Sequence, residues 1–252
     1  MYRFFKNIYL KIIPSKIKHK WNPVARNILY KLLYSGNKFY CPCCKTHLRK
    51  FITYKHENFN DQICPKCGSL SRTRCLTLYL DKNITEQNIQ VLDFSPHRSL
   101  FDYWNSKQVE YVANDYENEF LSHTNEDITS LTFNSEKFDL IICYHVLEHI
   151  LDDTKAINEI YRVLKPNSLL LAQVPFKAGK TDEDSSVTSP EMRKIRFGQK
   201  DHVRYYGKDD FIKKLESSGF SVKPINITKS FNTDLIQYYG LKDDDTIFIC
   251  KK

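Results

Sequence analysis

The first 40 residues contain no Asp or Glu, yet they carry nine Lys or Arg: Arg3, Lys6, Lys11, Lys16, Lys18, Lys20, Arg26, Lys31 and Lys38. The whole chain has a formal charge of +8, so the other 212 residues stand at −1 and the basicity belongs to an amino-terminal arm. No apolar run is long enough, or free enough of charge, to span a bilayer, which excludes a transmembrane reading. No small-residue cleavage site follows a clean apolar stretch, so a secretory signal is not expected. Internal repeats and low-complexity tracts are absent as well. What remains is 41% hydrophobic and 13% aromatic residues, enough for a real core in one α/β domain with a small appendage.

Within the arm, residues 1–38, the charges interleave with Phe4, Phe5, Ile8, Tyr9, Leu10, Ile12 and Ile13. After Pro14 they interleave with Trp21, Val24, Ile28, Leu29, Leu32 and Leu33. Both halves read as short amphipathic helices, suited to anionic lipid, to nucleic acid phosphates, or to packing on the next domain.

Residues 39–70 hold two knuckles, Cys41-Pro-Cys-Cys44 and Cys64-Pro-Lys-Cys67, with 19 residues between them. Zn²⁺ takes four thiolates at roughly 2.3 Å, and two Cys-x-x-Cys turns supply them with backbone N–H groups aimed at the sulfurs. Cys41, Cys44, Cys64 and Cys67 fill the tetrahedron, so the expected zinc is structural, and Cys43 is expected to be a free neighbour. Disulfides are the weaker reading, because Cys75, Cys143 and Cys250 lie in segments that read as core elements.

Downstream, Ser71 is placed to cap a helix through Leu76, Leu78, Tyr79 and Leu80. Gln90 to Phe94 reads as a buried strand, Ser99 to Asn105 as a helix, and Glu110 to Asn114 as a second strand ending at Asp115. Phe138 to Cys143 is the next strand, before a helix that Asp152 or Asp153 caps. Pro166 is expected to end that helix, and Ser168 to Val174 to return as a strand. A helix from Lys208 to Ser217 stops at Gly219, after which Phe220 to Ile227 and Thr246 to Cys250 are expected to close the sheet as a hairpin. The polar stretch Lys177 to Ser189 reads as a mobile lid. Strands alternating with helices predict right-handed βαβ units and a parallel sheet.

Open α/β sheets bind ligands outside the carboxyl ends of their strands, so carboxylates there are informative. Asp93 closes the first strand, Asp115 the second, and Asp127 precedes an Ile-Thr-Ser-Leu stretch beside them. An acidic residue after the second strand can hold both ribose hydroxyls of a nucleoside cofactor.

The segment Phe138-Asp-Leu-Ile-Ile-Cys-Tyr-His-Val-Leu-Glu-His149, with Asp152-Asp153 and Arg162-Val-Leu-Lys-Pro166, resembles the fourth-strand motif and following helix of class I S-adenosylmethionine-dependent methyltransferases of the type 11 group. Phe197-Gly-Gln-Lys-Asp-His-Val-Arg-Tyr-Tyr-Gly207 and Gly219-Phe220 are similar to that family's carboxyl-terminal signature. The likeness covers about residues 88–252, and the knuckles extend it toward residue 41. It implies an α/β fold over residues 71–252, a Rossmann-like, mostly parallel seven-stranded sheet with flanking helices. A small zinc-ribbon-like module and the basic helical arm precede it. One departure is the first loop, Val91-Leu-Asp-Phe-Ser-Pro-His97, where most of the superfamily has a Gly-rich turn. Another is Pro166-Asn-Ser168 in place of Pro-Gly-Gly, though Asn can adopt the left-handed conformation.

The resemblance also implies S-adenosylmethionine as cofactor beside the structural Zn²⁺. Asp115 would hold the ribose and Asp127 and Ile128 the adenine edge. Phe94, Tyr144 and His145 would line the pocket, and Asp93 would organise the first loop. His202 is the expected general base with His145 second, because an imidazole titrates near neutral pH. Arg204 is expected to bind an anionic acceptor, while Glu148 and His149 order the entry loop. The implied acceptor is a hydroxyl of a small molecule, glycan or lipid-linked saccharide. An RNA methyltransferase gripping phosphates through the arm is an alternative that the near-neutral body disfavours, and a non-enzymatic scaffold is a third reading. The cytoplasm is the implied compartment, where the cofactor is made and thiols stay reduced, with the arm suited to the inner membrane surface.

Overall fold

The computed structural model describes residues 23–56 and 59–252; the first of the two expected arm helices lies outside them. Residues 23–29 are α-helical, and Tyr30–Tyr34 continue as a π-helical turn that ends at an extended Ser35. This segment is held by polar contacts, Arg26 to the Cys64 carbonyl at 3.3 Å and the Tyr30 hydroxyl to the His47 carbonyl at 3.2 Å. Val24, Ile28, Leu32 and Leu33 stay exposed, Leu32 at 75%.

Two antiparallel hairpins follow, β1 (Phe39–Cys41) with β2 (Thr46–Leu48) and β3 (Ile52–His56) with β4 (Phe59–Ile63). One knuckle forms the β1–β2 turn and the other follows β4 directly. Helix α1 (Ser71–Asn83) starts from an N-cap at Leu70, not from Ser71. The Ser71 hydroxyl is instead spent on Asp245 Oδ2 at 2.5 Å and on the Lys242 N–H at 2.8 Å, a long-range tie that outcompetes the local cap.

The expected alternation then appears as β5 (Gln90–Phe94), α2 (Arg98–Asn105), β6 (Glu110–Asn114), β7 (Phe138–Tyr144), α3 (Asp153–Val163) and β8 (Leu164–Gln173). Short β9 (Phe176–Lys177) and β10 (Asp182–Glu183), α4 (Pro190–Phe197), β11 (Arg204–Gly207) and α5 (Lys208–Ser217) follow. Strand β12 (Ser221–Asn226), α6 (Thr233–Tyr239) and β13 (Thr246–Lys251) complete the chain. The main sheet runs β12-β13-β8-β7-β5-β6, parallel from β8 to β6 and antiparallel at β13 and β12. Leu92, Ile141 and Leu170 face the layer of α3 and α5, while Val91, Leu140, Ile142 and Leu171 face α1 and α2. Burial on both faces explains why these strands read as apolar runs without alternation.

Four expectations need correction. The sheet has six strands, not seven, among the described residues: the segment between β6 and β7 is polar (Asn118, Glu119, Ser122, Asn125, Glu126, Asp127) and keeps one bridge, Asn114 to Thr124. Pro166 does not end α3, which stops at Val163. With left-handed Asn167 (φ 62°) it lies inside β8, where the register with β7 shifts between Phe138 and Leu140. Strands β12 and β13 pair in antiparallel fashion, but a 3₁₀ turn (Ile227–Ser230) and α6 separate them, so they are no simple hairpin. The stretch expected as a lid is tied down by β9 and β10 pairing with β11 and by Arg196 bridging Asp182 and Asp184.

Arg74 joins the cysteine module to the main domain. Fully buried, its guanidinium donates to the carbonyls of Ser69 (2.5 Å), Gln62 (2.7 Å), Tyr239 (2.8 Å) and Gly240, and lies 4.5 Å over the Phe51 ring.

Candidate functional site

Strands β5, β6 and β7 end side by side, Phe94 opposite Asn114 on one flank and Cys143 on the other. Beyond Phe94 the chain turns through Ser95 in the left-handed region (φ 49°), the position where glycine would be the unstrained choice. The turn is held by Ser95 N–H to the Asn114 carbonyl at 2.7 Å and by the Ser95 hydroxyl to Asp115 Oδ1 at 2.8 Å. Asp115 Oδ2 accepts from Phe120 N–H at 2.9 Å. The carboxylate is buried, and each oxygen keeps a second acceptor site. Asn114 fastens the returning chain by accepting from Glu126 N–H (2.7 Å) and the Thr124 hydroxyl (2.9 Å). That brings Ile128 into one cluster with Phe94, while Asp127 is exposed and accepts from Thr129. Asp93 lies on the opposite face of β5, where burial pushes its carboxyl well above the usual range and only the Tyr111 hydroxyl reaches it, at 3.3 Å.

At the end of β7, His145 also sits in the left-handed region (φ 55°), a strained backbone for a non-glycine residue. Its Nδ1 lies 3.1 Å from Glu148 Oε1. Five buried polar atoms lack a hydrogen-bond partner among the described residues, and four of them belong to these segments: Tyr144 OH and Gln173 Oε1 at the ends of β7 and β8, Glu148 Oε2 in the loop after β7 and His202 Nε2 before β11. Buried polar atoms are normally satisfied, so this concentration marks a place prepared for something else.

The sequence reading overlooked Arg72. It stands in the first turn of α1 without a hydrogen bond among the described residues; burial lowers its pKa, against the attraction of Asp61, Glu148 and Asp245. Burial, and after it the charge of Arg72, push His97 down to about 4 and lower His145. The legible signal was electrostatic: a cation in the first turn of a helix opposes the helix dipole and requires a reason.

His202 is buried, its Nδ1 3.0 Å from the Phe197 carbonyl, and burial lowers its pKa. Its ring meets that of His149 edge to face at 4.8 Å, so Glu148 and His149 join His202 in one cluster. Arg204 does not present a free guanidinium. It donates to Glu183 Oε2 (2.9 Å) and to the carbonyls of Leu147 (3.2 Å), Leu151 (2.8 Å) and Ile150, clamping the loop after β7. An anionic acceptor would have to displace these bonds.

The four cysteines of the knuckles come together with their sulfurs within 4.8 Å of one another, and none of the eight cysteines is in a disulfide. The Cys41–Cys67 and Cys44–Cys64 separations, 3.6 and 3.8 Å, fit the roughly 3.8 Å edge of a tetrahedron with 2.3 Å zinc–sulfur bonds. Burial raises the Cys41 thiol, but hydrogen bonds from its neighbours hold it well below its usual value, while Cys44, Cys64 and Cys67 are pushed up. Four thiolates so close together need a cation to offset their mutual repulsion. The Ser69 hydroxyl lies 3.3 Å from both Cys41 and Cys67 sulfurs, and Cys43 stands apart against Thr77.

A cavity of about 500 Å³ lies between the ends of α1 and α2, at the amino edge of the sheet and away from these residues. A second, of about 470 Å³, lies beside the β7 loop and is lined by Leu151, Glu183, Asp184, Val187, Val203 and Arg204.

Residues 77–172 match the family described as a methyltransferase domain. A search of curated proteins finds no match in sequence. Among solved structures, the [4+2]-cyclase SpnF is 13% identical with a TM-score of 0.50, covering 81% of this chain and 88% of its own. YcgJ of Bacillus subtilis is 16% identical with a TM-score of 0.49, covering 71% of this chain and 99% of its own. Phosphoethanolamine N-methyltransferase 2 of Haemonchus contortus, bound to S-adenosyl-L-methionine, is 15% identical with a TM-score of 0.48, covering 71% of this chain and 52% of its own.

Proposed function

We propose that this protein transfers a methyl group from S-adenosylmethionine to a hydroxyl of a small-molecule or saccharide acceptor, starting from the methyltransferase domain that residues 77–172 carry. The observation that carries the reading is Asp115, fixed at the end of β6 by Ser95 and Phe120 with acceptor sites to spare. Because a cyclase has a similar fold, the fold alone does not set the reaction, and the site must.

The bound cofactor would supply an electrophilic methyl group that needs alignment more than activation. Asp115 accepts from the ribose hydroxyls, and Phe94 and Ile128 offer an apolar wall. Arg72 would hold the cofactor's carboxylate with a guanidinium that makes no hydrogen bond among the described residues. Tyr144 and Gln173 have polar atoms left to satisfy. His202 keeps its proton on Nδ1, because the Phe197 carbonyl can only accept, so Nε2 is the lone pair that takes the acceptor's proton. The cavity beside Val203 and Arg204 is assigned to the acceptor. Its lining balances Glu183 and Asp184 against Arg193 and Arg204, which suits a neutral polyhydroxylated molecule.

Calorimetric titration of the zinc-loaded protein with S-adenosylmethionine and S-adenosylhomocysteine tests this. Saturable micromolar binding, about −8 kcal/mol, is expected. Asp115→Ala should abolish it with the Cys₄ zinc retained; unchanged binding would overturn the placement of the site. No binding by the unaltered protein would favour a scaffold role.

The arm supports a location at an anionic membrane surface, since its basic residues accompany exposed Val24, Ile28 and Leu32. Salt-sensitive sedimentation with anionic vesicles, lost on deletion of residues 1–36, is the expected result. Salt-sensitive binding to RNA would instead favour a nucleic acid acceptor.

A further inference from the structure

We propose that Glu148, His149 and His202 form a second metal site, for a divalent transition cation, beside the carboxyl end of β7. Their ligand atoms lie within 4.8 Å of one another. Contacts on the outer side of the two rings bear on which atoms face the centre. His202 Nδ1 donates to the Phe197 carbonyl at 3.0 Å, and His149 Nδ1 lies 3.1 Å from Asp201 Oδ2. His202 therefore keeps a bare lone pair on Nε2, since a carbonyl can only accept. Glu148 is fully buried, with Oε1 against His145 Nδ1 at 3.1 Å and Oε2 without a partner, as His202 Nε2 is. Glu148 Oε2 and His202 Nε2 converge here without a hydrogen-bond partner among the described residues, His149 offers a third ligand atom beside them, and the nearest cation acting on Glu148, Arg72, makes no hydrogen bond to it. Buried acceptors left so are costly, and a cation satisfies all three at once.

A histidine whose second nitrogen is held by a carboxylate or a carbonyl is the usual partner arrangement for metal ligation, and both histidines have it. The frame is rigid: Val203 N–H donates to the Glu148 carbonyl at 2.9 Å, and Arg204 clamps Leu147, Ile150 and Leu151 on either side. Bonds of about 2.1 Å at tetrahedral angles set ligand atoms roughly 3.4 Å apart, so atoms as much as 4.8 Å apart close by up to ~1.4 Å through side-chain rotation. Two imidazoles and one carboxylate suit Zn²⁺, Mn²⁺, Fe²⁺ or Co²⁺ better than Mg²⁺ or Ca²⁺, which favour all-oxygen sets. Three protein ligands leave a position open, and His149 is partly exposed toward solvent. There the cation would bind the acceptor hydroxyl and lower its pKa, and with the metal bound the proton would leave to solvent in place of the direct transfer to His202 Nε2 that the metal-free site performs. This last role, unlike the site itself, rests on the methyl-transfer reading.

The test is titration of the zinc-loaded full chain with Co²⁺, read by visible absorption and by metal analysis after desalting. One equivalent beyond the Cys₄ zinc is expected, with the weak bands of nitrogen and oxygen ligands rather than the intense bands of thiolate. Affinity should fall at least tenfold in Glu148→Gln, which is isosteric, and in His202→Ala, with the Cys₄ zinc retained in both as the check on folding. Cobalt that enters only the cysteine cage, or affinity unchanged in Glu148→Gln, would overturn the proposal. Cofactor binding is measured separately: cofactor bound with no second metal sinks this inference and spares the methyl-transfer reading, while a second metal without cofactor binding does the reverse.

Discussion

Replacing Arg74 by Lys keeps the charge and should still cripple the fold. The guanidinium reaches four buried carbonyls, those of Gln62, Ser69, Tyr239 and Gly240, from a planar fork wedged over Phe51. A lysine ammonium has three donors on one atom and cannot span that set, so two or more carbonyls lose their partner. At about 1–3 kcal/mol for each orphaned buried group, the loss is roughly 3–6 kcal/mol, a large share of the ~5–15 kcal/mol that holds a domain together. In a chain of this length about 2–4 °C of melting temperature goes with each kcal/mol, so thermal unfolding should begin about 10 °C lower. Because Arg74 binds the cysteine module to both α1 and the turn after α6, zinc release should accompany the transition. Arg72 stands two residues earlier, so cofactor affinity should weaken below the transition. A melting temperature within about 2 °C of the unaltered protein would refute the account of Arg74 as the bolt between module and domain.

Other outcomes follow from single contacts. His97 caps α2 by accepting from Ser99 N–H, which only a neutral imidazole does, and its pKa is held at about 4. The unfolded chain takes up the proton near 6.5, so stability is fully present above that pH and is lost as pH falls toward 4. His97→Asn, which retains a cap, should flatten this acid limb by ~3 kcal/mol in urea titrations at pH 7 and pH 4; an unchanged limb would assign it to other groups. Cys64→Ser should cost the structural zinc and the protease resistance of residues 39–70, whereas Cys43→Ser should cost neither, as metal analysis and limited proteolysis would show. Gly240 is left-handed (φ 62°), and a Cβ there would meet the Phe51 ring at 2.6 Å. Gly240→Ala should therefore lower the melting temperature by several degrees, about 1–2 kcal/mol of backbone strain plus displacement of Phe51. A neutral result would mean that the module shifts freely against α6.

How far the sequence reaches depends on the range of the forces involved. Gln90–Phe94 and Glu110–Asn114 appear as read, and α3 takes its cap from Asp152, which accepts from Lys155 N–H. Helix propensity, capping and burial on both faces act within a few residues, so they leave a local signature. The cysteine spacing announced its cage for the same reason, because zinc geometry is short-ranged. Ser71, Pro166 and the missing seventh strand went the other way. Each was decided by a partner far along the chain, Asp245 for Ser71 and the β7 register for Pro166, or by a polar stretch that found no strand to pair with.

The candidate site divides along the same line. The sequence by itself determined which residues end the strands, Asp93, Phe94, Asp115, Tyr144 and His145, since strand ends follow from local pattern. Only the tertiary structure decided what those residues do there. It turned Asp93 away from the edge and spent Arg204 on the loop after β7. It brought His202, 53 residues on from His149, against that ring, and left Arg72 without a hydrogen bond among the described residues, its charge acting on His97 and His145. Hydrogen-bond satisfaction and the meeting of charges are settled by neighbours in space, and the order of residues along the chain does not carry them.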